Sequence, residues 1–150
     1  MMARVRVFIG WLLAVVVAAV GATLVEVQMN ANALADLGAT VPVGERVGML
    51  AHDLVRFTPM LAALIAAAFV VAWPVAAGLA RWRPRWRPWL FPLAGFTAMA
   101  TILVAMQLAL PVTVIASARS PQGATLLCLA GAVAGLVYLA VARAQKSSSA

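Results

Sequence analysis

Glu26, Glu45, His52, Asp53 and Arg56 are the side chains of this chain whose types and spacing best suit acid–base or ion-pair chemistry. His52 and Arg56 are four residues apart and Glu45 and His52 seven, so on a helix these three share a stripe, while Asp53 sits three before Arg56. Glu26, Gln107 and Arg119 are expected near the same membrane face. Together Glu26, His52, Asp53, Arg56, Gln107 and Arg119 form a candidate outward polar vestibule for a small molecule or lipid. The plainer account is a solvated helix face with surface ion pairs, each worth about 0–1 kcal/mol.

Beyond that stripe the reactive inventory is thin. A thiol–disulfide relay needs a cysteine pair, and Cys128 is alone. One histidine cannot ligate haem from both sides, and no zinc set of three or four ligands assembles, so neither cofactor nor metal is expected. No P-loop, nucleophile elbow or dinucleotide-binding glycine pattern occurs. Ser117 and Ser120 flank Arg119, but no base is tied to them by spacing. No acid falls at the middle of an apolar segment, which argues against a proton-coupled exporter. Enzymatic activity therefore has no support among these residues, and a non-enzymatic role is expected.

The elements that must position these groups follow from composition. Of 150 residues, 65% are hydrophobic and 10% charged, against roughly a quarter charged in a soluble domain. That excludes a soluble enzyme, a disordered tail and a secreted disulfide scaffold. A hydrocarbon core of about 30 Å needs about 20 apolar residues of helix to cross it. Residues 7–25, 60–80, 89–110 and 124–142 meet that requirement without an internal charge. A single integral membrane domain, residues 1–150, folded as an all-α four-helix transmembrane bundle, is the expectation.

Charge placement predicts orientation, because Lys and Arg in short flanking loops stay on the cytoplasmic side. Arg4 and Arg6 precede the first span, Arg81, Arg83, Arg85 and Arg87 separate the second and third, and Arg143 and Lys146 follow the fourth. The other side holds Arg46, Arg56, Arg119 and all the acids. Both termini are thus expected in the cytoplasm of a bacterium, the protein lying in its inner membrane. The net charge of +7 is chiefly a topology signal. Ala31-Asn32-Ala33 offers a signal-peptidase pattern, but the 19-residue apolar run of 7–25 exceeds the usual signal-peptide length of about 7–15, so retention is expected.

Residues 26–59 are the sizeable extramembrane segment. Glu26 to Leu37 has no breaker and is expected to prolong the first span as far as Gly38, a plausible residue just past a helix end. Residues 40–44 read as a turn. From Glu45 to Phe57 an amphipathic helix is predicted, with Val47, Leu50, Ala51, Leu54, Val55 and Phe57 on one face. Such a helix lies flat in the interface or caps the bundle mouth.

Residues 81–88 repeat Arg-Trp-Arg-Pro, and Trp89 follows. Each proline disfavours helix in the residue before it, which predicts an extended break. Arg81, Trp82, Arg83, Arg85, Trp86, Arg87 and Trp89 suit the headgroup layer, as a topological clamp with an aromatic belt or as a site for anionic lipid. Eight residues at a membrane surface make a poor nucleic-acid footprint, and none is expected to bind there.

Inside the spans, Thr97 and Thr101 can bond back to their own helix, Gln107 offers an amide as helix glue, and Pro74 frees the Val70 carbonyl, which predicts a kink. Gly131 and Gly135 form a G-x-x-x-G face for close helix packing, within one chain or between copies.

The stretch His52-Asp53-Leu54-Val55-Arg56-Phe57-Thr58-Pro59, Trp73-Pro74-Val75-Ala76 in the second span, and Gly131 with Gly135 resemble small four-span inner-membrane proteins of Gram-negative bacteria, a group with no known activity. Ala51-His52 and Pro59 are also similar to the start of the second span in the membrane-associated eicosanoid and glutathione metabolism proteins. Leu54 and Phe57 stand where that pattern has Asn and Glu, Pro59 comes one residue early, and the segment is expected outside, so no glutathione site is carried over. The reading that results is an accessory or structural membrane subunit. It would associate with the bilayer, with anionic lipids, and with a membrane protein partner or further copies of itself. The alternative is a carrier or modifier of small molecules or lipids working from the outward vestibule.

Overall fold

The computed structural model of the chain describes residues 2–38, 42–109, 118 and 120–147, with the side chains of 2–4, 6, 109 and 143–147 outside that description. Helices fill it: α1 (Met2–Asp36), α2 (Val43–Arg56), α3 (Thr58–Trp82), α4 (Arg87–Ala109) and α5 (Pro121–Ser147), with a single 3-10 turn at Pro84–Trp86 between α3 and α4. Four of them, α1, α3, α4 and α5, are long and apolar enough to cross a membrane.

These four close into a ring in which α1 packs on α5, α5 on α4, α4 on α3 and α3 back on α1. The shared interior is built by periodicity. On α3, Leu61, Ile65, Phe69 and Trp73 recur every fourth residue and are buried, followed by Ala76 and Ala80. α1 contributes a smooth face of Ala14, Ala18, Ala19 and Ala22, while Met99 and Leu127 fill the space from α4 and α5. The outside is equally apolar: Phe8, Leu12, Val16, Val70, Val71, Val104 and Leu129 are exposed. A surface of that kind is stable against lipid, where only backbone groups satisfied within helices are tolerated. The protein is a multi-pass membrane protein, an all-α four-helix transmembrane bundle carrying a short amphipathic helix outside the spans.

Small residues decide how closely α4 and α5 approach. A Cβ at Gly131 would run into the Gly95 carbonyl and Met99, and one at Gly135 would meet the backbone of Phe91 and Pro92. The G-x-x-x-G face thus lies against a helix of the same chain. The absence of side chains allows backbone contact and the dispersion energy that replaces the hydrophobic effect inside a bilayer.

At the end of the bundle that carries α2, termed the outer end, α1 continues unbroken past the apolar stretch to Asp36, and Gly38 ends it with φ +82° while its N–H bonds the Ala35 carbonyl at 2.9 Å. Its 35 residues span about 50 Å, well beyond a hydrocarbon core of about 30 Å. Helix α2 starts at Val43, two residues before the expected Glu45, with Pro42 in extended conformation before it; residues 39–41 lie outside the described residues. The connector differs from expectation. Residues 81–88 are not an extended break: α3 runs on to Trp82, Arg83 alone leaves helical geometry, and Pro84–Trp86 form a 3-10 turn leading into α4. The reason lies in the proline positions. Arg83 precedes Pro84 and adopts the non-helical conformation this demands, whereas Pro88 falls in the first turn of α4, where its missing N–H costs no helix bond. Pro74 is carried inside α3, which continues through it.

Candidate functional site

The outer end joins three helices through hydroxyl groups. Thr23 of α1 is completely buried, and its Oγ1 lies 2.7 Å from Oγ1 of Thr58 at the start of α3. Thr23 also donates to the Ala19 carbonyl at 3.0 Å, and Thr58 to the Asp53 carbonyl at 3.1 Å. Asp53 belongs to α2, and its carbonyl also accepts the Phe57 N–H at 2.9 Å. The elbow between α2 and α3, where Phe57 keeps helical dihedrals, is therefore pinned by the last turn of one helix and the first hydroxyl of the next. Two protons serve three contacts, so the chain runs either from Thr58 through Thr23 to Ala19 or from Thr23 through Thr58 to Asp53.

Glu26 follows Thr23 by three residues on α1 and is buried at 6% exposure. It sits between helices rather than in open water, and it is engaged with a neighbouring group. Asp53 is half-buried at the elbow. His52 and Arg56 are exposed on α2, and Gln107 is exposed in the outermost part of α4. Arg119 lies outside the described residues. The structure thus places Glu26 and Asp53 close to the helix junctions and leaves His52, Arg56 and Gln107 on the outside. A polar recess of about 550 Å³ at this end is formed by a different set, Met29, Asn32 and Asp36 of α1 facing Ser120 and Gln122 at the start of α5. Ser120 caps α5: its Oγ accepts the Gly123 N–H at 3.0 Å and its carbonyl accepts the Ala124 N–H at 3.0 Å. Helix α2 packs against α1 and α3 yet buries no residue, and Val43, Val47 and Val55 of its apolar face are exposed.

Polar groups within the spans are spent locally. Thr97 bonds the Leu93 carbonyl at 2.9 Å, Thr101 the Thr97 carbonyl at 2.8 Å, and Thr125 the Gln122 carbonyl at 2.8 Å. Each hydroxyl bonds back to its own helix, which satisfies it without a partner on another helix.

The opposite end, beside the Arg-Trp repeat, is aromatic. Trp73 stacks on Tyr138 at 5.1 Å between ring centroids and touches Phe69 at 4.4 Å and Phe91 at 5.9 Å, while Phe91 and Tyr138 are themselves 5.1 Å apart. Offset and tilted rings at these distances add about 0.5–1.5 kcal/mol per pair beyond area burial. Phe8 stacks on Trp11 at 5.7 Å across the way on α1. Between the two groups opens an apolar cleft of about 470 Å³, lined among others by Phe8, Trp11, Phe69, Trp73 and Tyr138. Trp73 is 5% exposed. The indole N–H groups of both Trp11 and Trp73 are buried and meet no acceptor among the described residues. A smaller recess of about 270 Å³, with Arg81, Pro84, Arg87 and Phe91 in its wall, adjoins the cleft at Ala77, which lines both.

Of the connector residues, Arg81, Trp82, Arg83, Arg85, Trp86, Arg87 and Trp89 are all exposed. Arg81 and Arg87 frame the small recess, and the Arg87 guanidinium carbon sits 6.0 Å from the centre of the Phe91 ring. Arg85, Trp86 and Trp89 line a separate shallow groove of about 560 Å³. Sequence reasoning did not find the aromatic cleft. The signal was present in the fourfold spacing of Leu61, Ile65, Phe69 and Trp73, but only the tertiary fold brings Phe91 and Tyr138 to the same place.

Among the described residues, no group of three or more His, Cys, Asp or Glu side chains comes together to hold a metal ion. The fold and this geometry define the class: a four-span membrane protein with a hydroxyl-pinned junction between α2 and α3 and an aromatic cleft adjoining an arginine-lined recess. No protein-family model, curated protein or solved structure matches the chain.

Proposed function

We propose that the protein is a non-enzymatic accessory or structural subunit of a bacterial inner membrane, with both termini in the cytoplasm. The observation that carries this reading is α2, an amphipathic helix fixed to the bundle through Phe57 and Thr58 while Val43, Val47 and Val55 of its apolar face stay exposed among the described residues. A helix held in place with its apolar side open presents a ready surface to a membrane partner or to the interface. The orientation rests on Arg81, Arg83, Arg85 and Arg87 together with the basic residues near both chain ends. Isolation in mild detergent followed by native mass spectrometry tests the role. A stoichiometric protein partner, lost on Val47→Asp or Val55→Asp, supports the subunit reading, and retention of that partner by both variants removes α2 as its docking face. A reporter fused after Lys146 that is active only outside the cytoplasm overturns the orientation.

The second reading, a carrier or modifier of lipids or small lipophilic molecules, is favoured by the aromatic cleft rather than by the outward stripe around His52. Isolation of a bound lipid or small molecule without any protein partner would make it the leading account.

A further inference from the structure

We propose that the outward side of α2 is a self-association face, on which α2 of a second copy lies antiparallel, with Gly48 against Ala51 at the centre and Glu45 of each copy beside Arg56 of the other. This rests on the reading of α2 as a docking face and names its partner as the same chain.

Helical periodicity divides α2 into a packed side and an open one. Arg46, Met49, Leu50 and Asp53 share one side and are half-buried where α2 packs on α1 and α3. Directly opposite runs a smooth stripe, Gly44, Gly48, Ala51 and Val55, at spacings of four, three and four residues. Ala51 and Val55 are exposed, and a Cβ added at Gly44 or Gly48 would meet no atom within 4 Å. Gly95, Gly131 and Gly135 differ, because each lies against the backbone of a neighbouring helix and so uses its missing side chain inside the chain. Gly48 stands in mid-helix, where glycine is the poorest former after proline, and no described residue uses the room it leaves. Small residues four apart allow the backbone of a second helix to approach closely.

The flanks of the stripe identify that second helix. One flank is apolar, with Val43, Val47 and Leu54 exposed; the other is polar, with Glu45, His52 and Arg56 exposed. A copy turned end for end brings like flank to like flank. With Gly48 facing Ala51, Glu45 of one copy comes level with Arg56 of the other to within about 3 Å along the axis, and two-fold symmetry makes the pair twice. Within one chain the same two residues are about 16 Å apart along α2 and cannot pair. A parallel arrangement would instead set the charged flank of one copy on the valines of the other. The charges of α2 are thus complementary to α2 itself, which is the condition for an isologous interface. Copies in one membrane share their orientation, so the two-fold axis runs along the membrane normal. Antiparallel pairing then directs Glu45, His52 and Arg56 toward water and Val43, Val47 and Leu54 toward the bilayer, as suits an amphipathic helix at the interface.

The test uses the full chain purified in mild detergent, with native mass spectrometry for composition and sedimentation equilibrium for the dissociation constant. A complex of two copies is the expected result. Gly48→Leu, which meets no atom of its own chain, should weaken that complex about tenfold or more, whereas Gly78→Leu, at an equally open position on α3, should leave it unchanged. Glu45→Arg and Arg56→Glu should each weaken it about three- to tenfold, and the chain carrying both should recover the native constant, because the reversed charges meet again across the pair. Circular dichroism showing native helical content in each variant confines these effects to association. A native chain that stays monomeric, equal effects of Gly48→Leu and Gly78→Leu, or no recovery in the double charge reversal overturns the proposal. A different protein bound to each single copy and lost on Val55→Asp also overturns it while upholding the subunit reading, so the two fail on different results.

Discussion

The two ends of the bundle solve the same problem, polar groups among apolar helices, in opposite ways. At the outer end, Thr23 and Thr58 bond each other at 2.7 Å, and each has a backbone carbonyl of its own within reach, Ala19 for one and Asp53 for the other. At the arginine end, Trp11 and Trp73 carry their N–H groups on rigid rings that meet no acceptor among the described residues. A hydroxyl on a helix can always fall back on the turn before it, whereas an indole cannot. The hydroxyls at the outer end are therefore satisfied within the chain, while the two indoles at the arginine end are held by ring packing alone among the described residues. That asymmetry separates a hydrogen-bonded joint from an aromatic one more clearly than charge does, since the charged residues of α2 are largely exposed.

The comparison breaks most severely at the seam that supports the arginine end. Gly135 touches the backbone of Phe91 and Pro92, so any side chain there pushes α5 from α4 and pulls Phe91 away from Tyr138 and Trp73. Gly135→Leu is expected to cost about 3 kcal/mol or more, because the obstruction is backbone and cannot rotate aside. Thermal unfolding in detergent should show a lowered melting temperature, together with a changed tryptophan near-ultraviolet dichroism. A variant as stable as the native chain would mean that the close α4–α5 approach does not hold the aromatic cluster.

A smaller effect is expected at the outer end, where Ser120 caps α5 with both its hydroxyl and its carbonyl. Ser120→Ala removes the side-chain bond to the Gly123 N–H and should cost about 1 kcal/mol, the usual worth of such a cap. The Tm should fall while the near-ultraviolet signature of the aromatic cluster stays fixed. A changed aromatic signal would show that the two ends are coupled, contrary to the separation drawn above.

The spans and the ring of helices were legible in the sequence because hydrophobicity at this density leaves one solution in a bilayer. The extension of α1 to Gly38 and the close packing at Gly131 and Gly135 were legible for local reasons, a residue tolerant of positive φ and a repeat of missing side chains. The Arg-Trp connector was misread because both prolines were treated alike, although Pro84 follows the helix end and Pro88 lies in a first turn. The site was the least legible part. The stripe of His52, Asp53 and Arg56 stands out in sequence because charge is scarce there, but scarcity marks contact with water as readily as chemistry. The cleft is assembled from residues on α1, α3 and α5 that are individually unremarkable in a span, and whether an indole N–H finds an acceptor is decided only by tertiary geometry.

The smallest expected effect tests the outer joint directly. Thr23→Val removes one hydroxyl, but Thr58 still donates to the Asp53 carbonyl; Thr58→Val removes the other, but Thr23 still donates to the Ala19 carbonyl. Neither change strands a donor, so each alone should be mild. The energy belonging to the contact between them appears only in the double-mutant cycle, and hydrogen bonds between membrane helices measured this way average about 0.6 kcal/mol. A coupling near that value, read from unfolding in detergent, marks the joint as ordinary helix glue with fallback acceptors. A coupling above about 2 kcal/mol would exceed the known range for such pairs and would mean that one hydroxyl loses its fallback when the other is removed. The outer end would then share the rigidity assigned here to the arginine end, and the contrast between a hydrogen-bonded joint and an aromatic one would have to be redrawn around Thr23.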